Sequence, residues 1–344
     1  MKLKNAIPGG GARPARRRNG PIQTGEKRSM ISPTLSNDVR RERLKSPAGP
    51  VEMVLDTDTD NEMDDQFALV WAMLFPEKLR VKAVTAAPFH NDRSGGPGDG
   101  MRRSLGEIQR WLAILDADSS LAFAGSGRYL PDRNTPVDSP AARRIVELAH
   151  DAANRGRVLH LLAIAALTNV ASALLLDPSI ADDCVLVWLG GNSANWPDNR
   201  EFNLIQDVPA VQAVLDSGIP LVRIPCVHGA DALITTLPEL RERCAPHGKA
   251  GAALYDLALR FMKPGDSRII WDISTVGYLL TPDAFLSEVM PTPILRDDAS
   301  WESGAGRPEY REVSRISRDP LFSSLFGRLA AGPLSPIETM ELAR

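Results

Sequence analysis

Residues 51–75 read VEMVLDTDTDNEMDDQFALVWAMLF. Val51–Leu55 is a short apolar run that ends in Asp56, and it predicts a buried strand. Asp64–Phe75 then carries Phe67, Leu69, Val70, Met73 and Leu74 at spacings that suit a helix. The same alternation continues along the chain. Strands are predicted at Leu79–Ala87, Leu121–Ala124, Val158–Ala165, Cys184–Leu189 and Pro220–Ile224. Helices are predicted at Met101–Leu115, Pro140–Ala153, Asn169–Leu176 and Val208–Ser217. Strands that alternate with helices call for a mostly parallel sheet with helices on its faces. The expected fold is therefore α/β, a single domain with a mostly parallel central sheet flanked by helices. Ligands in such sheets sit beyond the carboxyl ends of the strands. Chemistry is thus sought in the loops after Leu55, Ala87, Ala166 and Leu189. The segment after Pro291 is less regular, with a loop at Ser303–Arg307 and a final helix at Pro320–Leu329.

The composition agrees with a large packed core. Of the 344 residues, 43% are hydrophobic and 24% charged, which excludes a mostly disordered chain. Forty basic and 43 acidic side chains leave a formal charge of −3, so nothing global points to nucleic acid or an anionic membrane. No apolar stretch is long enough for a membrane span. Cys184, Cys226 and Cys244 are far apart and form no CxxC pair, which argues against a disulfide framework or a zinc knuckle and for a reduced, cytoplasmic setting. Residues 1–50 differ from the rest. They hold Arg13, Arg16, Arg17 and Arg18, the run Gly9–Gly11 and several prolines, and they read as a disordered basic tail ahead of a domain at 51–335.

Between the first strand and its helix lie Asp56, Asp58, Asp60, Glu62, Asp64 and Asp65, six carboxylates within ten residues. Crowding them is costly unless a cation compensates, so the cluster reads as a divalent-metal site. Oxygen ligands with no His or Cys nearby suit calcium or magnesium rather than zinc. An EF-hand is excluded: counted from Asp56, the sixth position is Asn61 rather than Gly and the twelfth is Phe67 rather than Glu. Asp56 and Asp58 after a strand also suit a haloacid dehalogenase-type phosphatase, although Asp60 stands where such enzymes usually have Thr or Val.

The strand ending in Asp-x-Asp, followed by Asp64-Asp65 opening an apolar helix, resembles the start of the inosine–uridine-preferring nucleoside hydrolases. Further matches follow in order: Leu167-Thr168-Asn169, then Gly190-Gly191, Asn195-Trp196, Glu201-Phe202-Asn203 and Asp207, and finally Asp272 ahead of Val276-Gly277-Tyr278. The resemblance spans about residues 51–290. It implies a calcium (Ca2+)-dependent N-ribohydrolase that acts on ribonucleosides as a homodimer or homotetramer. By resemblance, Asp58 touches both metal and attacking water and is the general base. Asp65 and Asp272 are metal ligands, and Thr168 offers its backbone carbonyl. Asp64, Asn91, Asn195, Glu201, Asn203 and Asp272 bind the sugar. Five residues separate Asp58 from Asp64, where most members have three; Asp60 would restore the common spacing, but Asp58 follows the strand directly.

The chemistry agrees with this set. Cleaving an N-glycosidic bond passes through an oxocarbenium-like state and needs an activated water near the anomeric carbon. A metal lowers the pKa of water and fixes its place, and a carboxylate takes the proton. The residue before the late Asp is Trp271, where pyrimidine- and inosine-cleaving relatives often carry His. That suits stacking on a purine, and the expectation is a purine preference. Trp271 as a plain core residue is the competing reading. His160 reads as a core residue, His228 as loop structure, and Cys226 has no base partner that would make it a nucleophile. A binding protein of the same fold that turns over poorly is the rival function.

Overall fold

In this computed structural model, residues 35–332 are described. The first half runs α1 (Asn37–Arg43), β1 (Val51–Thr57), α2 (Asp65–Met73), β2 (Leu79–Ala86), α3 (Pro97–Ile114), β3 (Ala122–Phe123), α4 (Pro140–Asn154), β4 (Leu159–Ala163), α5 (Thr168–Leu176) and β5 (Cys184–Leu189). Next come α6 (Phe202–Gln206), α7 (Val208–Ser217), β6 (Leu221–Ile224), β7 (Ile234–Thr236), α8 (Leu237–Arg243), α9 (Gly248–Phe261) and β8 (Ser267–Ile269). The chain closes with α10 (Ile273–Leu280), β9 (Phe285–Pro291), β10 (Ile294–Leu295), β11 (Trp301–Glu302), β12 (Glu309–Ile316) and α11 (Arg318–Ala331).

Eight strands form one sheet in the order β3-β2-β1-β4-β5-β6-β12-β9. Every pairing is parallel except β12 with β9. Side chains alternate across the pleat. Met53 and Leu55 of β1 join the core under α2, α8, α9, α10 and α11, while Val54 joins the core under α4, α5 and α7. With both faces covered, β1, β4 and β5 are buried along their whole length, as parallel strands are. Single-domain α/β architecture is therefore observed as expected.

Three differences have physical causes. The expected start of a helix at Met101 moves to Pro97, because Pro fits the first helical turn where its missing N–H costs nothing, and Gly96 supplies the φ of 148° at the cap. The irregular segment after Pro291 supplies β12, which pairs antiparallel with β9 at the sheet edge, and its mixed burial gave no clean run. Residues 1–34 and 333–344 lie outside the described residues, so the basic arginines and most of the expected tail do too. The tail expectation reached too far at its other end, for residues 37–43 are helical. Arg40 is buried and donates to the Gly218 carbonyl at 2.8 Å, Leu44 is fully buried, and Arg41 pairs with Glu309 at 2.7 Å. The charged string NDVRRER hides this docking, because the burial falls on an arginine stem and one leucine rather than an apolar stripe.

Candidate active site

β1 delivers Asp56 and Thr57 at its carboxyl end, Asp58 follows, and Asp64 and Asp65 open α2. Carboxylates at a helix N-terminus face its unpaired N–H groups and the positive end of its dipole. Thr57 donates its hydroxyl to Asp65, and the Asp58 amide donates to Asp65 Oδ1 at 3.2 Å. The Trp271 amide donates to Asp64 Oδ2 at 3.1 Å, which joins the first acidic segment to the start of α10 and so to Asp272. Carboxylate oxygens of Asp64, Asp65 and Asp272 all lie within 4.8 Å of one another, and all three residues are buried. Asp58 is equally buried, and its Oδ2 has no hydrogen-bond partner.

These carboxyls carry the electrostatic cost of crowding. Burial, then the charge of Asp65, pushes Asp58 well above the ordinary carboxylate range. Burial, then Asp64, does the same to Asp272. Asp64 is pushed up to about 8 by burial and by Asp65, and Asp65 to about 6 by burial against opposing hydrogen bonds from Thr57 and the Asp58 amide. An all-oxygen donor set, mutually repelling, with one orphaned buried oxygen, fits a hard divalent cation.

A cavity of about 350 Å3 opens over this cluster. Its wall includes Asp58, Asp64, Asp65, Asn91, Glu201, Asn203, Trp271 and Asp272, so eight of the residues expected from sequence converge. Asn91 sits on the loop after β2, tied down by the Gln206 side chain, which accepts from the His90 amide at 2.8 Å. Asn91 Nδ2 donates to Asn61 at 2.6 Å. Glu201 caps α6, accepting from the amides of Asn203 and Leu204 and, at 2.7 Å, from Gly191. Asn203 donates to the Leu189 carbonyl at 3.1 Å. Both thus hold loop backbone while lining the cavity.

Two expected residues are elsewhere. Asn195 is exposed on the loop after β5 and is not in the cavity wall; Asn192 is. Asn192 is anchored there by Asn199 and by the Val227 amide at 3.2 Å. Of the loop's three asparagines, Asn192 and Asn199 are buried and Asn195 is exposed, and Asn192 lines the cavity. Thr168 is buried at the start of α5 outside the cavity wall, with its hydroxyl on Asp207 at 2.7 Å. Its neighbour Asn169 holds Asp56 at 2.8 Å and also accepts from the Ser126 amide, an approach that leaves no room for a Cβ at Gly125. Asp56 itself, pushed up to about 7 by burial, is held by Asn169 and Thr85 below the cavity. Sequence reasoning missed Asn61, Glu62, Val227 and Cys226 as wall residues. The buried Cys226 thiol, pushed well up by burial and by Glu201, is no nucleophile.

Comparison with known proteins agrees with this fold. The family described as inosine-uridine preferring nucleoside hydrolase matches residues 99–314. The pyrimidine-specific ribonucleoside hydrolase RihA of Klebsiella pneumoniae subsp. pneumoniae is 27% identical over 256 residues, covering 66% of this chain and 79% of that protein. The plant nucleoside hydrolase PpNRh1 superposes with a TM-score of 0.65 at 18% identity, over 82% of this chain and all (100%) of that one. An inosine-guanosine nucleoside hydrolase gives 0.65 at 17% identity, over 82% and 99%. With two thirds of its length matched and the acidic cluster at the strand ends, the chain belongs to the inosine-uridine preferring nucleoside hydrolase family, hydrolases of the N-glycosyl bond.

Proposed function

We propose that the chain is a calcium-dependent N-ribohydrolase that prefers purine ribonucleosides. The observation that carries the reading is the convergence of Asp58, Asp64, Asp65 and Asp272, buried together at the floor of a cavity that Trp271 also lines. Asp58, Asp65 and Asp272 would hold the cation. When bound, it supplies Lewis acidity that makes water a better nucleophile at neutral pH. Asp58, with its Oδ2 unpaired, accepts the proton from that water. Asp64 and Asp272 accept from ribose hydroxyls, and Asn91 and Asn203 orient the sugar from the cavity wall. Glu201 keeps Asn203 in place through its cap.

Trp271 supports the purine preference. It is half-buried, lines the cavity, and puts an aromatic ring at the position before Asp272 where pyrimidine-cleaving relatives often carry His. The inosine-guanosine hydrolase of the same fold is named for purine nucleosides, whereas the curated RihA relative is named for pyrimidines. Ribose release on a panel of purine and pyrimidine nucleosides, with chelator and then with calcium restored, tests both parts. Purine turnover that chelation abolishes and calcium restores is expected. In Asp65→Ala, calcium affinity is lost while the fold remains; unchanged affinity rejects the ligand assignment. Nucleoside binding without ribose release under all conditions replaces the hydrolase reading by that of a binding protein.

A further inference from the structure

A second cavity, of about 620 Å3, lies at the opposite end of the sheet. It is floored by the first residues of β1, β4 and β5 and roofed by the segment from Glu42 to Pro50 that joins α1 to the sheet. Seven residues of β1 separate it from the acidic cluster, roughly 20 Å at strand rise.

Its lining is basic. Arg43, Lys45, Arg80 and Arg157 face it, against two carboxylates, Glu42 and Glu52. The carboxylates are already engaged. Glu42 pairs with Lys45 at 2.5 Å, and the buried Glu52 is held by Arg155 at 2.6 Å and Arg157 at 3.2 Å. Arg80 lies beside Glu52 in the β1–β2 register, yet among the described residues its side chain has no hydrogen-bond or ion-pair partner. The lining thus carries two more positive than negative side chains.

His160 supplies the second observation. It stands on β4 in the cavity wall, 5% exposed, and its Nδ1 has no partner. Burial holds its imidazole neutral at physiological pH by pushing its pKa down to about 4. A buried ring nitrogen without a partner is costly and is normally satisfied. A ligand oxygen entering the cavity would satisfy it.

We infer that this cavity binds a small organic phosphate monoester, its dianion held by Arg80 and Arg157 with one phosphate oxygen reaching the His160 Nδ1. The excess of two positive side chains matches the charge of such a dianion, guanidinium groups pair phosphate oxygens through paired N–H donors, and the volume suits a ligand of small-metabolite size. Apolar walls from Val51, Val158 and Val185 leave room for a body larger than the phosphate alone.

Phenyl phosphate is the probe, because it carries the charge and an apolar body but no ribose that the acidic cavity would take. Calorimetric titration of the full chain, with inorganic phosphate and phenol run beside it, gives one site for phenyl phosphate, weaker binding of phosphate and none of phenol. Arg80→Gln, at a residue outside the acidic cavity, lowers the affinity at least tenfold and leaves nucleoside turnover unchanged. In a histidine-labelled sample, the ring signal assigned by its loss in His160→Gln moves on titration. Absence of binding at millimolar probe, equal affinity in Arg80→Gln, or an unmoved His160 signal each overturns the proposal. So does displacement of the probe by a nucleoside, which would place it in the acidic cavity.

Discussion

Removing the divalent cation turns the acidic cluster into a pH-dependent liability whose size the structure fixes. In the metal-free chain Asp64 titrates at about 8 and Asp65 at about 6, whereas in the unfolded chain both titrate near 4. The folded state therefore binds protons that the unfolded state has already released. A raised carboxyl pKa stabilises below the unfolded value and loses that contribution as pH rises through the folded value, so metal-free stability falls with pH. Each pH unit costs about 1.4 kcal/mol per such group. From pH 5 to pH 8, Asp64 alone accounts for about 4 kcal/mol, and Asp65 adds about 1 kcal/mol before it is ionised. That is a large part of the 5–15 kcal/mol by which domains are usually stable. At roughly 2 °C per kcal/mol for a chain of this size, the expected fall in melting temperature is on the order of 10 °C.

Calcium, on the proposed function, would compensate the ionised carboxylates, so a loaded protein is expected not to show this fall and to release protons on binding near neutral pH. The measurement is thermal unfolding of chelated and calcium-loaded protein at pH 5 and pH 8. Taking the difference between the two forms cancels every titration away from the cluster. A calcium-induced rise in melting temperature that is larger at pH 8 than at pH 5 is expected. Asp64→Asn, which keeps the shape and removes the charge, should flatten the metal-free pH dependence. A calcium effect equal at both pH values, or an Asp64→Asn protein as pH-sensitive as its parent, refutes the electrostatic account of the cluster.

Asp58→Asn keeps the side chain's shape but cannot take a proton, and kcat for ribose release should fall by about 10²-fold or more, with KM little changed; a retained kcat moves the general base elsewhere. Trp271→Ala should lower purine turnover and narrow the gap to pyrimidines, and uridine as best substrate with purine turnover spared would make Trp271 a packing residue. Deleting residues 1–34 should leave fold and turnover unchanged, since that stretch has no core-forming pattern. Deleting 1–48 removes fully buried Leu44 and the Arg40 contact, and should cost about 2 kcal/mol or more in chemical unfolding. Equal stability of the two deletions would show that α1 contributes nothing to the fold.

The parallel part of the fold was legible because β1, β4, β5 and β6 are buried on both faces and the helices between strands carry apolar residues at helical spacing. Val51–Leu55 and Cys184–Leu189 needed no partner to be recognised. Where burial is one-sided or rests on charged side chains, the pattern fails. β9 alternates between buried, half-buried and exposed residues, and α1 buries Arg40. The site was legible for a different reason. Carboxylates crowded between a buried strand and an apolar helix need compensation, so Asp58, Asp64 and Asp65 announce the cavity floor, whereas Asp272 stands alone in sequence and is reached only through the family resemblance. Neutral wall residues carry no such signal. Asn192 and Asn195 have the same side chain in one loop, and only the backbone path after β5 decides which turns inward.

The connection between β1 and α2 brings Asp58 and Asp64 into one cavity wall. Five residues stand between Asp58 and Asp64, and Asp60 rivals Asp58 for the floor by its spacing to Asp64, although Asp58 follows the strand directly. The backbone separates them. Asp60 takes a positive φ of 82°, a conformation that Asp tolerates better than most residues, and so the chain turns back on itself at that point. The Asn61 amide closes this turn on the Asp58 carbonyl at 2.9 Å. Asp60 is thereby carried out of the cavity, where Arg93 and Arg103 meet it at 3.3 and 3.5 Å, while Asp58 stays on the floor. Those two arginines neutralise a charge that would otherwise raise the cost of ionising the cluster. Asn61 lands in the wall and accepts from Asn91, the loop residue assigned to the sugar. The turn therefore shapes the cavity wall beside Asn91 rather than the acidic floor, and the spacing of Asp58 to Asp64 in sequence is no measure of their distance in the fold.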